Sequence, residues 1–518
     1  MAVYPHKHKN HEWWIVLVIM LVAVVFRFQH ITTTPPGLYP DEAMNGNNAL
    51  EAIKTGDYKV YYPENNGREG LFINIQAQSI KLFGNTPWAL RVVSALFGTL
   101  TVLGLYFLTR KLFNWQIAAM SSFFLATSFW HVLFSRIGFR AIMAPFFLVW
   151  GLYFFWKGKS STKLFDFAIS GLFIGLGFYS YIAYRIVPLI IILVIWAYWH
   201  SLKRDFSHEK FIHTRNQLMR GFAMLMVAGI IVAFPLGWYY LTHTADFMGR
   251  AGQVSIFSAD NPVQAFFTST VKTLGMFNLA GDWNWRHNFA GRPELFWPVG
   301  ILFLIGLIRC LIKLYRKKKS HGHFPTVQVL LISWFVLGLF PIILSNEGIP
   351  HALRAILVTP VVMIFAGEGL WWIYVFCKKW YGMRDMHDIV VHDHHLAESS
   401  VVASLAIFLF MFGVMINEYN FYFNRWAPND NVAQAFDEES TSLGELINSM
   451  PRDQLLYVYV NARGVLVRGI PMPAQTVMFI TDSWTAEKQV EKNIFYLTEE
   501  AYSKGLYQKD AVVIPLLP

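Results

Sequence analysis

Two adjacent carboxylates, Asp41 and Glu42, stand in the stretch GLYPDEAMNGNN at 37–48, directly after a proline and beyond an apolar run. A proline followed by acidic residues opens a helix, and the positive end of the helix dipole favours an anion there. A carboxylate so held can take a proton from a hydroxyl, which makes Asp41 a candidate general base. The plainer reading of the same pair is helix-start chemistry alone. Neighbouring helical residues point about 100° apart, so one of the two faces a cavity while the other serves structure. Glu42 stays in the candidate set beside Asp41. Further on, NGREGLF at 66–72 sets Arg68 and Glu69 between two glycines, and Glu69 is the third candidate acid.

Cations collect in three short segments: Arg136 and Arg140 in SRIGFR at 135–140, Arg185 in YIAYR at 181–185, and His351 and Arg354 in NEGIPHALR at 346–354. A guanidinium donates paired hydrogen bonds and keeps its charge, so these residues are candidate ligands of a phosphate. Each by itself also fits a side chain reaching for a lipid headgroup. Whether they share one side with Asp41 depends on the elements that carry them.

The chain has 518 residues, 55% hydrophobic and 15% charged, and a mean hydropathy of +0.37. That exceeds what a soluble core of this length needs, so the chain belongs in a bilayer. The formal charge of +10 therefore speaks through its placement, and no nucleic-acid partner is expected. A bilayer core takes roughly 17 to 25 apolar residues. About eleven such windows are predicted, near 13–29, 87–108, 116–134, 141–156, 165–182, 186–200, 221–241, 294–314, 326–345, 351–376 and 400–419. The first window has no small-residue cleavage site behind it and reads as an uncleaved span.

Alternate loops carry Arg110 and Lys111, Lys157 to Lys163, Lys203 to Arg220, Arg309 to Lys319, and Lys378 to Arg384. With these cytoplasmic, 30–86, 135–140, 242–293, 346–350 and the tail after 420 lie on the extracytoplasmic side. Lys and Arg are disfavoured in short turns there, so the arginines of those turns call for an anionic ligand. Cys310 and Cys377 fall on the cytoplasmic side, where no disulfide is expected. Apart from Glu368 the spans are nearly free of charge, which argues against an ion-coupled transporter.

Residues 1–419 read as a transmembrane module with a first outer loop at 30–86 and a large outer loop at 242–293. In the first loop, helices are predicted over Asp41–Thr55 and Leu71–Phe83, stopped by Gly56 and Gly84. The tail 420–518 is more polar and reads as a small α/β domain, with strands predicted at Leu455–Val460, Thr476–Thr481 and Ala511–Ile514 and helices at Asn431–Asn448 and Ala486–Asn493. A cluster of His387, Asp388, His392, Asp393, His394 and His395 has no fixed ligand spacing, and no metal is expected from it. The predicted fold class is thus an all-α polytopic membrane protein with a small α/β extramembrane C-terminal domain.

The Asp-Glu pair in a long first loop, NGREGLF, SRIGFR, GDWNWRHN at 281–288 and PHALR at 350–354 together resemble the GT-C glycosyltransferases. The branch they resemble is the protein O-mannosyltransferase and lipid A aminoarabinose transferase superfamily, especially its prokaryotic members, over about residues 10–420. The resemblance implies inverting transfer of a sugar from a polyprenyl phosphate donor to a hydroxyl of a lipid, glycan or protein acceptor, with Asp41 matching the acidic residue assigned as base. It implies no cofactor and no metal, since a phosphate leaving group stabilised by Arg does not require one. The tail does not match the β-trefoil domain of eukaryotic mannosyltransferases, and no DxD stands in the first loop. Two other classes remain open from the residues: a flippase or transporter for lipid-linked sugars, in which function survives removal of Asp41, and a noncatalytic scaffold that acts through its tail.

Overall fold

The computed structural model describes residues 9–205, 208–247, 255–321, 325–384 and 392–516. Among the described residues eight helices are long and apolar enough to cross a membrane: 87–112, 140–161, 182–201, 214–242, 297–320, 326–343, 356–378 and 401–426. The other three expected windows hold helix α1 (Lys9–Phe28), a helix broken at Ser128 (Trp115–Thr127, then Phe129–Phe134), and the short helix Leu164–Gly177. The break has a partner, because the Phe129 N–H donates to Glu418 Oε2 at 2.8 Å instead of continuing the ladder. Expected windows and observed helices thus agree, and the polytopic all-α class holds.

Small residues let the short helix pack closely. A Cβ on Gly171 would stand 2.3 Å from the Leu225 carbonyl, and one on Gly175 would stand 2.7 Å from that of Gly229. This GxxxG spacing brings Leu164–Gly177 into backbone contact with His208–Thr242, as small residues do between helices in lipid. Between the apolar helices, α1 and His392–Tyr419 border an apolar cleft of about 790 Å³. Among the described residues its lining is apolar apart from Asn417, Tyr419, Asn420 and Asn424.

The first loop folds into helix α2 (Pro40–Thr55), a two-residue hairpin pairing Tyr61–Tyr62 with Arg68–Glu69, and helix α3 (Gly70–Phe83). α2 ends where the sequence puts its stop, with Gly56 at φ 76° in the left-handed region that a glycine enters without strain. α3 leads into α4 (Pro87–Leu112), the first long span after the loop.

The C-terminal region carries a parallel three-stranded sheet with Leu456–Val460 in the centre, flanked by Ile494–Thr498 and Val512–Leu516. The predicted strand at 476–481 is instead part of the helix Ala474–Thr481. Its residues 474–479 are all buried, so neither alternation nor a polar face was left to mark the helix. The predicted helix over 431–448 is two helices, Asp430–Ala435 and Glu438–Ser449, separated by Asp437 at φ 56°.

Ala474–Thr481 buttresses α2. Phe479 lies against Gly46, where a Cβ would come within 2.3 Å of its ring. Thr476 donates to the Leu38 carbonyl at 2.8 Å, and the Leu38 N–H donates to Thr441 Oγ1 at 2.8 Å. Asn47 donates to Gln475 Oε1 at 3.0 Å. Burying Phe479 completely contributes about 1.5–3 kcal/mol. The back of α2 is therefore held, and its opposite face turns toward a cavity.

Candidate active site

Asp41 occupies the first turn of α2, and its Oδ1 accepts from Asn65 Nδ2 at 2.5 Å. It lines a polar cavity of about 170 Å³ together with Asn45, Asn65, Asn66, Arg68, Phe139, Arg140, Tyr181, His351 and Arg354. Asp41, Asn45 and Asn48 follow the i, i+4, i+7 spacing of one helix face. Arg68 locks the lower part of that face, donating from its two terminal nitrogens to Asn45 Oδ1 at 2.7 Å and Asn48 Oδ1 at 2.6 Å. Burial lowers the Arg68 pKa to about 10, still far above neutrality, so it remains a cation. Asn45 in turn donates to the Gly138 carbonyl at 3.0 Å, tying α2 to the SRIGFR segment.

Glu42 is absent from the cavity wall. It is fully buried, pairing through both oxygens with Arg91 at 3.1 Å and accepting the Gly138 N–H at 2.6 Å. Arg91 spends its remaining donors on the Pro35 and Gly37 carbonyls, each at 2.6 Å. The pair therefore pins the start of α2 to α4 and holds Glu42 buried away from the cavity. Glu69 is also buried, 2.7 Å from Arg140 Nε, and acts on the cavity through that arginine rather than directly.

The cations divide into two groups. Arg140, His351 and Arg354 line the cavity with Asp41. Arg136 does not: it is buried, donates to the Phe26 and Thr34 carbonyls at 3.1 and 3.0 Å, and lies over the rings of Tyr422 and Phe423. Its charge is enclosed between α1 and the segment Asn420–Trp426, away from the residues that line the cavity. Arg185 also lies away from the cavity, donating to the Phe247 carbonyl at 3.2 Å and stacking on Phe247 and Tyr240. Arg354 is oriented by the Ser345 hydroxyl and by the Glu347 carbonyl at 2.9 Å.

The asparagines of the cavity and Arg68 were not singled out from sequence as site residues, although the polar 41, 45, 48 spacing within an otherwise buried helix was a usable signal. Tyr39 and Pro40, just before Asp41, line a second, larger polar groove of about 1190 Å³ shared with Arg286, Asp437, Ser440 and the C-terminal strands. The Arg286 guanidinium lies 3.8 Å from the centre of the Tyr39 ring. Burial, with the Asp41 carboxylate adding to it, pushes the Tyr39 phenol up to about 12. Tyr39 is thus a neutral hydrogen-bonding group at physiological pH.

This helical arrangement has solved counterparts. Over 98% of its length the chain is similar to ArnT from Cupriavidus metallidurans bound to undecaprenyl phosphate, covering 93% of that chain with a TM-score of 0.54 and 14% identity. Over 94% it is similar to the apo oligosaccharyltransferase of Archaeoglobus fulgidus, covering 69% of that chain with a TM-score of 0.53 and 12% identity. The fold is therefore that of the GT-C membrane glycosyltransferases. More particularly, residues 71–228 match the family of dolichyl-phosphate-mannose-protein mannosyltransferases. That stretch contains Arg91, Arg136, Arg140 and Arg185 and begins just after Glu69. No curated protein matches the chain in sequence.

Proposed function

We propose that the protein transfers a sugar from a polyprenyl phosphate carrier to a hydroxyl acceptor at the extracytoplasmic face of a membrane. The observation that carries this reading is one small polar cavity lined by Asp41 together with Arg140 and Arg354. A single displacement at an anomeric carbon requires a base on the acceptor's side of that carbon and phosphate ligands on the leaving group's side, and one cavity supplies both kinds of group. The acceptor oxygen forms a bond to that carbon while the bond to the phosphate oxygen breaks, and its electron pair leaves on the phosphate. Asp41 accepts the acceptor's hydroxyl proton, and Arg140 and Arg354 stabilise the departing charge. Proton removal comes late, once the sugar is cationic in character, so a carboxylate suffices as base. The larger groove beside Tyr39 supplies polar surface for the acceptor.

The arginine assignment has a kinetic consequence. A hydrogen bond to a charged group contributes about 1.5–3 kcal/mol, so Arg140→Ala and Arg354→Ala should each raise the apparent KM for a polyprenyl phosphate sugar roughly 10- to 100-fold. Arg136→Ala should lower the yield of folded protein and leave donor KM within a few-fold in what folds. Steady-state kinetics of purified variants decides it: unchanged donor KM in both Arg140→Ala and Arg354→Ala would remove the phosphate role.

Orientation is tested separately. With Lys and Arg on the inside, a cysteine at Lys318→Cys should resist an impermeant thiol reagent in intact cells, and one at Glu64→Cys should react. Both replacements are read against a parent whose Cys310 and Cys377 have been changed to serine. Labelling at 318 with none at 64 would reverse the topology and place the cavity on the cytoplasmic side.

A further inference from the structure

The segment GDWNWRHN forms a tight turn whose side chains converge on the connector at 350–354. Asp282 Oδ1 accepts the Asn284 N–H at 2.8 Å, and the Asn284 carbonyl accepts the His287 N–H at 2.8 Å, so Asp282 and His287 stand on one side of the turn. Asp282 Oδ2 then meets the connector, accepting the Ala352 N–H at 2.9 Å. The same oxygen lies 3.1 Å from His287 Nδ1 and 3.7 Å from His351 Nδ1. The two imidazole rings are stacked, with centres 4.8 Å apart.

We propose that Asp282, His287 and His351 bind one divalent transition-metal ion of the zinc class, which ties the 281–291 turn to the connector at the rim of the Asp41 cavity. Each of the three offers a ligand atom within 4.8 Å of the others. Two imidazoles and a carboxylate form a donor set suited to zinc, whose bonds of about 2.0–2.2 Å set tetrahedral ligand atoms roughly 3.3 Å apart. The observed 3.1 and 3.7 Å bracket that spacing.

A simple Asp–His ion pair accounts for less of this arrangement. One oxygen already holding a backbone N–H faces the nitrogens of two stacked rings, whereas an ion pair would need only one of them. Glu294 accepts the Asp282 N–H at 2.9 Å, which fixes the backbone that carries the carboxylate. Hydrogen bonds to Asp282 from Asn284 and Ala352 orient the carboxylate, as partners outside a metal shell do. Because His351 also lines the cavity that holds Asp41, the ion would set the position of the 351–354 segment, including Arg354. The site stands on its own geometry and does not depend on the transferase reading.

The test uses the full chain in detergent, stripped with a chelator and then dialysed against Zn²⁺ alone. Any zinc held elsewhere on the chain cancels when the site is read by difference: His287→Ala and His351→Ala should each retain about one equivalent less than wild type. Their affinity should fall by more than the roughly 10- to 100-fold that follows loss of an outer partner. His200→Ala, outside the cluster, should match wild type. His287→Cys guards against misfolding, since a thiolate keeps the ligand count. Loaded with Co²⁺, this variant should show a near-ultraviolet thiolate-to-metal band that wild type lacks. Equal zinc retention by wild type and both alanine variants, or a Co²⁺-loaded His287→Cys protein without that band, would overturn the site.

Discussion

Asp41→Asn should leave expression and folding near wild type and lower sugar transfer by about 10² to 10⁴, the range lost with a positioned general base. The substitution is close to isosteric, and the asparagine oxygen can still accept from Asn65, so the cavity keeps its shape. What disappears is the only carboxylate that lines that cavity among the described residues. The measurement is turnover by purified protein with a defined polyprenyl phosphate sugar and saturating acceptor. Losing an exposed helix-start carboxylate costs roughly 1 kcal/mol of stability and little rate, so a merely structural Asp41 would give nearly normal turnover. That result would take the base away from the proposed mechanism.

Glu42→Ala should behave in the opposite way, with a large loss of folded protein. Glu42 and Arg91 form an enclosed pair, with 0% and 2% of their side chains exposed. Removing one partner of such a pair leaves the other charge buried without compensation, which costs about 3–5 kcal/mol. Here the cost also includes the Gly138 N–H, which loses its acceptor. The consequences are a lower thermal midpoint and a lower detergent-extracted yield. Glu42→Gln should be milder, since an amide oxygen can still serve Gly138. The fraction of Glu42→Gln that folds should turn over within a few-fold of wild type. If it folded normally and was inactive, the acid role would move from Asp41 to Glu42, so the two variants together assign the adjacent carboxylates.

Much of the architecture was legible in the chain because a bilayer imposes a simple rule. Apolar windows long enough to cross it must be helical, and the windows read from composition coincide with helices in the structure. Local rules also worked in the first loop, where Pro40 begins α2 and Gly56 stops it. They failed at Ala474–Thr481, a helix surrounded on all sides, whose burial erased the periodicity that distinguishes helix from strand. They failed again at Asp437, where one left-handed residue divides an otherwise continuous helical pattern.

The sequence by itself determined that this is a polytopic helical membrane protein, and that a carboxylate pair opens a helix in its first long loop. Those features depend on hydropathy and on contacts within a few residues. Only the tertiary structure decided which member of the pair reaches the cavity and which cations share it. Arg136 and Arg140 lie four residues apart in one segment, yet one is enclosed by backbone carbonyls and aromatic rings while the other pairs with Glu69 beside Asp41. Asp282 and His351 meet across about seventy residues of chain. Such outcomes follow from how helices distant in sequence pack, and from the cost of leaving a buried charge without partners, which no local pattern of residues records.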